Sequence, residues 1–228
     1  MSFSRCLPVL LLVVVMAGCS APANRNNGGN ANTATAASPA ANNAAPSAGG
    51  TANPAATEAL TQAISAQLNA KSFRARFDGT TNGQETARTI EYVAPDRFHI
   101  TSDDLESIII GNTAWSRKKD GPWQKETIDA GQLLAVVRDP KIVDEIRKNA
   151  VVTLVGPDTL DAKPMTVYEY TLRNVMGTGM TSRAKAWVSV ADSLPHRIES
   201  ETEFSGQTSK STITYFDYNT DIKIEPPK

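Results

Sequence analysis

From Ser182 to Tyr218 the chain alternates between two kinds of side chain, and few folds other than an antiparallel meander accommodate that pattern. Ala184, Ala186, Val188 and Val190 share one face of a first strand. Ile198, Ser200, Thr202 and Phe204 share one face of a second, and Ser211, Ile213 and Tyr215 one face of a third. The opposite faces carry Arg183, Lys185 and Trp187, then Arg197, Glu199, Glu201 and Glu203, then Lys210, Thr212 and Thr214. A charged face and a weakly apolar face on every strand describe a sheet with one side in solvent and one side covered.

The charges suggest a register. A first turn centred on Ser193 sets Arg183 opposite Glu203, Lys185 opposite Glu201, Val188 opposite Ile198 and Ala186 opposite Ser200, with favourable cross-strand ion pairs. A second turn with Gly206-Gln207 as its two central residues fits the type II′ pattern and sets Lys210 opposite Glu203 and Ile213 opposite Ser200. The covered face carries small residues: Ala184, Ala186, Ser200, Thr202 and Ser211. Because protein interiors pack to crystal density, such a face calls for a close helical layer above it or a ligand in the gap.

Ahead of the meander the reading is less uniform. Met1 to Gly18 has the form of an export signal, with Arg5 as its charged start and an apolar run from Pro8 to Met16. That run is shorter than the roughly 20 apolar residues that span a bilayer. It ends in Met16-Ala17-Gly18-Cys19, which resembles a bacterial lipobox, where the signal is cut before a cysteine that is then lipidated. Met16 stands where leucine is usual. Cleavage there removes Arg5 alone among the charges and leaves 22 basic and 24 acidic residues. By the sorting rule such a motif implies, Ser20 after the cysteine directs the protein to the outer membrane of a Gram-negative cell. In another cell the anchor would lie on the outer face of the cytoplasmic membrane.

Residues 20–53 are Ala, Asn, Gly, Pro, Ser and Thr with Arg25 as the single charge. Proline apart, nothing there is larger and more apolar than alanine, so the composition predicts a disordered tether between the lipidated cysteine and a domain over 54–228. A flexible chain of that length spans roughly 30–35 Å end to end. Both cysteines, Cys6 and Cys19, precede the domain, which leaves it without a disulfide or a thiolate metal site. A net charge of −1 gives no footprint for nucleic acid.

Within the domain, Asn53-Pro54 opens a helix whose stripe is Ala56, Leu60, Ala63, Ile64 and Leu68. Strands follow over 72–77, 86–93, 97–101, 106–110, 113–118 and 123–125. A helical stretch over 130–150 is broken at Asp139-Pro140. Strands resume over 151–155 and 166–173 before the meander. Short connections make the sheet antiparallel, with about ten strands and two helical insertions, a mainly β fold with helices of the α+β class.

Particular segments resemble a known superfamily. The run AKAWVSVADSLPHRIESETEFSGQ, with its strand AWVSV, its turn before Leu194-Pro195, its basic-acidic strand and its Gly turn, is followed by a Thr-rich strand and FDYN. It resembles the closing part of the LolA/LolB-type lipoprotein carriers and of the actinobacterial LppX/LprG-type lipid-binding lipoproteins. The segment IIIGNTAWSRKKDGPWQK looks like the middle of the same sheet. The resemblance covers about Ala56 to Pro226. It implies a curved, incompletely closed antiparallel barrel covered by helices. In the anchored LolB-type carriers an apolar loop protrudes from an early hairpin. Here that hairpin is the short acidic Ser102-Asp103-Asp104, a departure from the pattern.

The chemistry-bearing residues point away from catalysis. His99 and His196 are the two histidines, on separate hairpins; His99 is near Asp96, Asp103 and Asp104 in sequence. The Glu199, Glu201, Glu203 row stands beside Arg183, Lys185 and Lys210 and reads as a solvated ion-pair ladder. No Gly-rich phosphate loop or nucleophile elbow occurs. The expectation is a protein that is not an enzyme, uses no cofactor or metal, and acts as a monomer. The resemblance implies that it holds an acyl chain, or the lipid part of a lipoprotein, between sheet and helices. Candidate lining residues are Leu60, Ile64, Leu133, Ala186, Val188, Ile198, Ile213 and Tyr215. Val175, Met176 and Met180 form an apolar loop suited to a lid or a membrane-touching tip. The rival reading is an anchored sensor or protein-interaction module on the same scaffold, with a filled interior.

Overall fold

A computed structural model describes residues 53–228, with the side chains of Leu133, Ala135, Val136, Val137 and Met176 outside the description. The signal-like segment, Cys19 and the tether up to residue 52 also lie outside the described residues. The first helix is α1 (Pro54–Leu68). Six strands follow: β1 (Ser72–Thr81), β2 (Gln84–Val93), β3 (Arg97–Ser102), β4 (Leu105–Ile110), β5 (Thr113–Lys118) and β6 (Gln124–Thr127). Helices α2 (Ala130–Val137) and α3 (Lys141–Asn149) then lead to β7 (Val151–Leu160), β8 (Lys163–Leu172), β9 (Thr181–Ser189), β10 (Pro195–Phe204) and β11 (Gln207–Phe216).

All eleven strands form one sheet in the order β6-β5-β4-β3-β2-β1-β11-β10-β9-β8-β7, antiparallel at every step. The curved sheet is unclosed, with β6 and β7 as its edges. Two meanders are joined where the first strand pairs with the last: Ala75 faces Tyr215 and Phe77 faces Ile213. Helices α2 and α3 occur in sequence where one meander gives way to the other.

Each helix begins for a local reason. Asn53 Oδ1 accepts from the amides of Ala55 and Ala56, with Pro54 at the first position of α1. Asp129 Oδ1 accepts from the amide of Gln132 at the start of α2. Between α2 and α3, Asp139 Oδ1 accepts from the amide of Lys141, next to the Pro140 that interrupts the helical run.

In the last meander the inward faces are as the alternation predicts except at Val190, which falls in the turn after β9 and is 62% exposed, and both registers differ by two residues. Ile198 lies opposite Ala186 and Ile213, Ser200 opposite Ala184 and Ser211, and Glu201 opposite Arg183 and Lys210. The first turn is tighter than a turn centred on Ser193. The Ser189 amide donates to the Leu194 carbonyl at 2.9 Å, Ser189 Oγ accepts from the amides of Ala191 and Asp192, and a bulge follows Pro195. The second turn places Ser205 and Gly206 at its centre. Both have positive φ, 50° and 77°, which makes it type I′ in place of the expected II′. A shift of two keeps every side chain on its face. It also keeps the charges paired, because glutamates recur every second residue. Lys210 Nζ bridges Glu201 at 3.3 Å, and Arg183 reaches diagonally to Glu203 at 3.9 Å.

The inner face carries two cores. One joins α1 and α3 to β7–β10 through Leu60, Ile64, Ile146, Val152, Tyr168 and Ala186. The other lies over β1–β4 and collects Phe73, Ala75, Ile90, Tyr92, Phe98 and Ile109, with Leu134 of α2 packed against it. On the outer face Trp187 packs with Met165 and Val167, and its Nε1 donates to Asp158 at 2.8 Å. Also on that face, Trp115 and Trp123 pack with Ile222 and Ile224 of the C-terminal segment.

Candidate functional site: the inner face of the sheet

The structure divides the predicted lining residues between the two cores. Leu60, Ile64, Ala186 and Val188 come together in the first, with Leu60 and Ala186 at 0% exposure. Ala186 is enclosed in the core that Leu60 and Ile64 of α1 share with Ile146 of α3 and Val152 of β7, and α1 approaches the sheet at β7 and β10. Ile198 is half-buried against this core, while Ile213 and Tyr215 are half-buried against the second. Leu133 and Met176 lie outside the described side chains. Val175 and Met180 turn inward and are buried in the first core, and the loop closes on itself through the Val175 amide donating to the Met180 carbonyl at 3.0 Å.

Coverage is uneven. Toward the β1–β2 and β3–β4 hairpins the inner face holds a hollow of about 140 Å³ lined by Thr86, Arg88, Ile100, Ser102, Leu105 and Ser107. That is the scale of a cavity that admits a benzene ring, roughly 150 Å³. Beside it the Arg88 guanidinium lies 4.8 Å from the centre of the Phe77 ring, and burial pushes its pKa down. Phe77 lies so close over Gly79 that a Cβ there would fall 2.7 Å from its Cε1, so this spot needs a residue without a side chain.

Deeper between sheet and helices is a group of which the sequence expectations name Tyr215 alone as a lining residue. Arg138, just past α2, sits over the Tyr92 ring at 4.1 Å and the Phe73 ring at 5.6 Å. Tyr215 and Tyr218 pack behind Phe73, with ring centres 5.6 and 6.1 Å from it. Arg138 Nη2 donates to the carbonyls of Leu68 and Gln67 at the end of α1. Burial raises the Tyr215 hydroxyl to about 12 and pushes those of Tyr170 and Tyr218 further up. All three tyrosines nonetheless keep accessible surface. Alternation marks Tyr215 as inward-facing, but nothing in the sequence joins it to Arg138, because the members come from positions 73, 92, 138, 215 and 218.

The histidines stand elsewhere. His99 is on the outer face, between Glu91 and Glu106, and is not paired with the aspartates near it in sequence. His196 Nε2 is 3.0 Å from Asp192. Among the described residues no cluster of three or more His, Cys, Asp or Glu side chains could hold a metal ion, and no helix is long and apolar enough to cross a membrane.

No family model matches the chain, and no curated protein matches it in sequence. Its likeness to known proteins is one of shape. It is similar to LprF from Mycobacterium bovis at 11% identity and a TM-score of 0.58, over 78% of this chain and 99% of LprF. It is similar to the lipoprotein LppX of Mycobacterium tuberculosis at 12% identity and a TM-score of 0.57, over 76% of this chain and all of LppX. The chain has the fold of LprF and LppX.

Proposed function

We propose that the protein is a lipid-anchored carrier of the bacterial cell envelope. It holds an acyl chain, or the lipid part of a lipoprotein, against the inner face of its sheet and has no catalytic role. The observation that carries this reading is the uncovered part of that face, where a hollow lined by Ile100 and Leu105 opens beside Phe77 on an unclosed sheet. The similarity in shape to LppX, a lipoprotein, supports it. Sequestration supplies the driving force, since each buried methylene contributes about 0.8 kcal/mol before ordering costs. The hollow holds only a short length of chain, so a full acyl chain extends from it into the interlayer toward Ile213 and Tyr215. The lipobox-like Met16 to Cys19 supports anchoring at Cys19 and a location outside the cytoplasm.

Organic extraction of the purified protein, followed by mass spectrometry and a fluorescent fatty-acid titration, tests the reading. Recovery of a bound lipid together with saturable binding is the expected result. A lipid-free protein that also fails to bind the probe would overturn it in favour of the anchored interaction module.

A further inference from the structure

We propose that Arg138 receives an anionic lipid headgroup, a carboxylate or a phosphate monoester, whose acyl chain runs along the inner face of the sheet. This rests on the carrier reading and narrows it from lipids in general to amphiphiles with a negative head.

The argument begins with a charge that lacks an opposite. Arg138 Nη1 is enclosed and has no hydrogen-bond partner. Among the described residues no carboxylate lies within ion-pair distance of this guanidinium; its neighbours are two carbonyls and a wall of aromatic rings. Taking a cation out of water is costly unless it is paired, and cation–π contacts offset only part of that cost. Burial accordingly pushes the Arg138 pKa down. Capping of α1 accounts for Nη2 and leaves Nη1 idle. A guanidinium with a free donor is suited to an oxyanion, which carboxylates and phosphates both present.

Position supplies the second half. Arg138 lies over Tyr92, whose ring is on the inner face in the same core as Ile90, Ile100 and Phe98. Ile100 also lines the hollow. A cationic group at one end of an apolar face that leads to the hollow, where Ile100 and Leu105 stand with Arg88, Thr86, Ser102 and Ser107, is complementary to an amphiphile with its head at Arg138 and its tail directed along that face toward Ile100 and Leu105. Tyr215, beside Phe73, adds a neutral hydroxyl that burial keeps protonated.

The test uses the full chain stripped of lipid, with displacement of a fluorescent fatty acid by dodecanoate, dodecyl phosphate, methyl dodecanoate and inorganic phosphate. Dodecanoate and dodecyl phosphate should compete at least about tenfold better than the methyl ester, the scale of one charge-assisted hydrogen bond. Arg138→Met should bring the two anions down to the ester's affinity and leave the ester unchanged, and Arg138→Lys should keep part of the preference. Equal competition by ester and anions in the wild type would overturn the inference while leaving the carrier reading intact. So would equal weakening of all ligands by Arg138→Met, which would make Arg138 a structural cap. Competition by inorganic phosphate at matched concentration would show an anion site unrelated to lipid. Failure of the wild type to bind the probe would sink both readings. Should Arg138→Met fail to fold, the wild-type preference and the lysine variant decide.

Discussion

His99 Nε2 stands 2.9 Å from Glu106 Oε1, and its other ring nitrogen stands 3.1 Å from Glu91 Oε2. The chain of charges continues in both directions across the outer face. Glu91 binds Arg74 at 2.7 Å, Arg74 binds Asp217 at 2.8 Å, and Glu106 binds Arg117 at 2.6 Å. Five neighbouring strands and the residue just past β11 are tied by one row of side chains. It lies opposite the aromatic core of Phe73, Tyr92 and Phe98.

The row has a pH signature. The hydrogen bond with His99 is the largest influence on Glu106 and, with Arg117, holds its pKa below the ordinary value. Burial pushes Glu91 up, but its bonds to Arg74 and His99 outweigh that and leave it lowered. Carboxylates depressed in the folded state bind fewer protons than in the unfolded chain. Their stabilisation is therefore present above the unfolded value, near 4.5, and is lost as pH falls through the folded one. Urea denaturation from pH 7 to pH 3 should show falling stability below about pH 5. Glu106→Gln should cost about 1 kcal/mol at pH 7 and make the acid slope shallower. An unchanged slope in that variant would remove Glu106 as its source.

How far the fold can be read from the chain depends on the period of its patterns. Alternation in β9 to β11 assigns faces, and the structure keeps them within the strands, but Val190, read onto the covered face, lies past the end of β9 and is exposed. Alternation is silent between registers two apart, since Glu199, Glu201 and Glu203 offer Arg183 and Lys185 a partner in either. Local hydrogen bonds at Ser189 and a Ser205-Gly206 turn of positive φ make the choice. The helix stripe of Leu60 and Ile64 was legible for the same reason as the strands. Arg138 was not. A lone arginine after an apolar helix reads as a solvated terminus until Phe73 and Tyr92, far away in sequence, are brought beneath it.

Ala186 gives a sharp test of the packed half of the inner face. It is fully enclosed, in a core with Leu60 and Ile64 of α1 and Val152 of β7. Ala186→Leu adds three carbons where there is no room, so it should destabilise by about 1–3 kcal/mol. Leu60→Ala, its converse, should cost about 2–5 kcal/mol through the cavity left behind. A denaturation curve for Ala186→Leu within experimental error of wild type would mean that α1 stands off the sheet.

Anchoring is tested at Cys19. In a bacterial host the wild type should fractionate with membranes and carry added lipid mass at its first residue. Cys19→Ala should leave the export signal uncut or release the protein from membranes. An intact mass for the membrane-bound wild type that shows an unmodified Cys19 would rule out the anchor.

The hollow near the hairpins calls for the opposite experiment from Ala186→Leu. Ser107 is 5% exposed and lines the hollow with Ile100 and Leu105. Replacing it by leucine projects apolar volume into space that the folded protein leaves empty. The penalty for overpacking then does not arise, and the added burial offsets the loss of a hydroxyl, so stability should stay within about 1 kcal/mol of wild type. If an acyl chain occupies that space, the same leucine competes with it. Losing two or three buried methylenes at about 0.8 kcal/mol each should then weaken fatty-acid binding about tenfold or more. Measured together, a denaturation curve and a fatty-acid titration separate the possibilities. Stable folding with weakened binding places the chain in the hollow, whereas stable folding with unchanged binding would move the chain elsewhere on the inner face. A loss of more than about 2 kcal/mol would show that the hollow closes up in solution and is not available to a ligand.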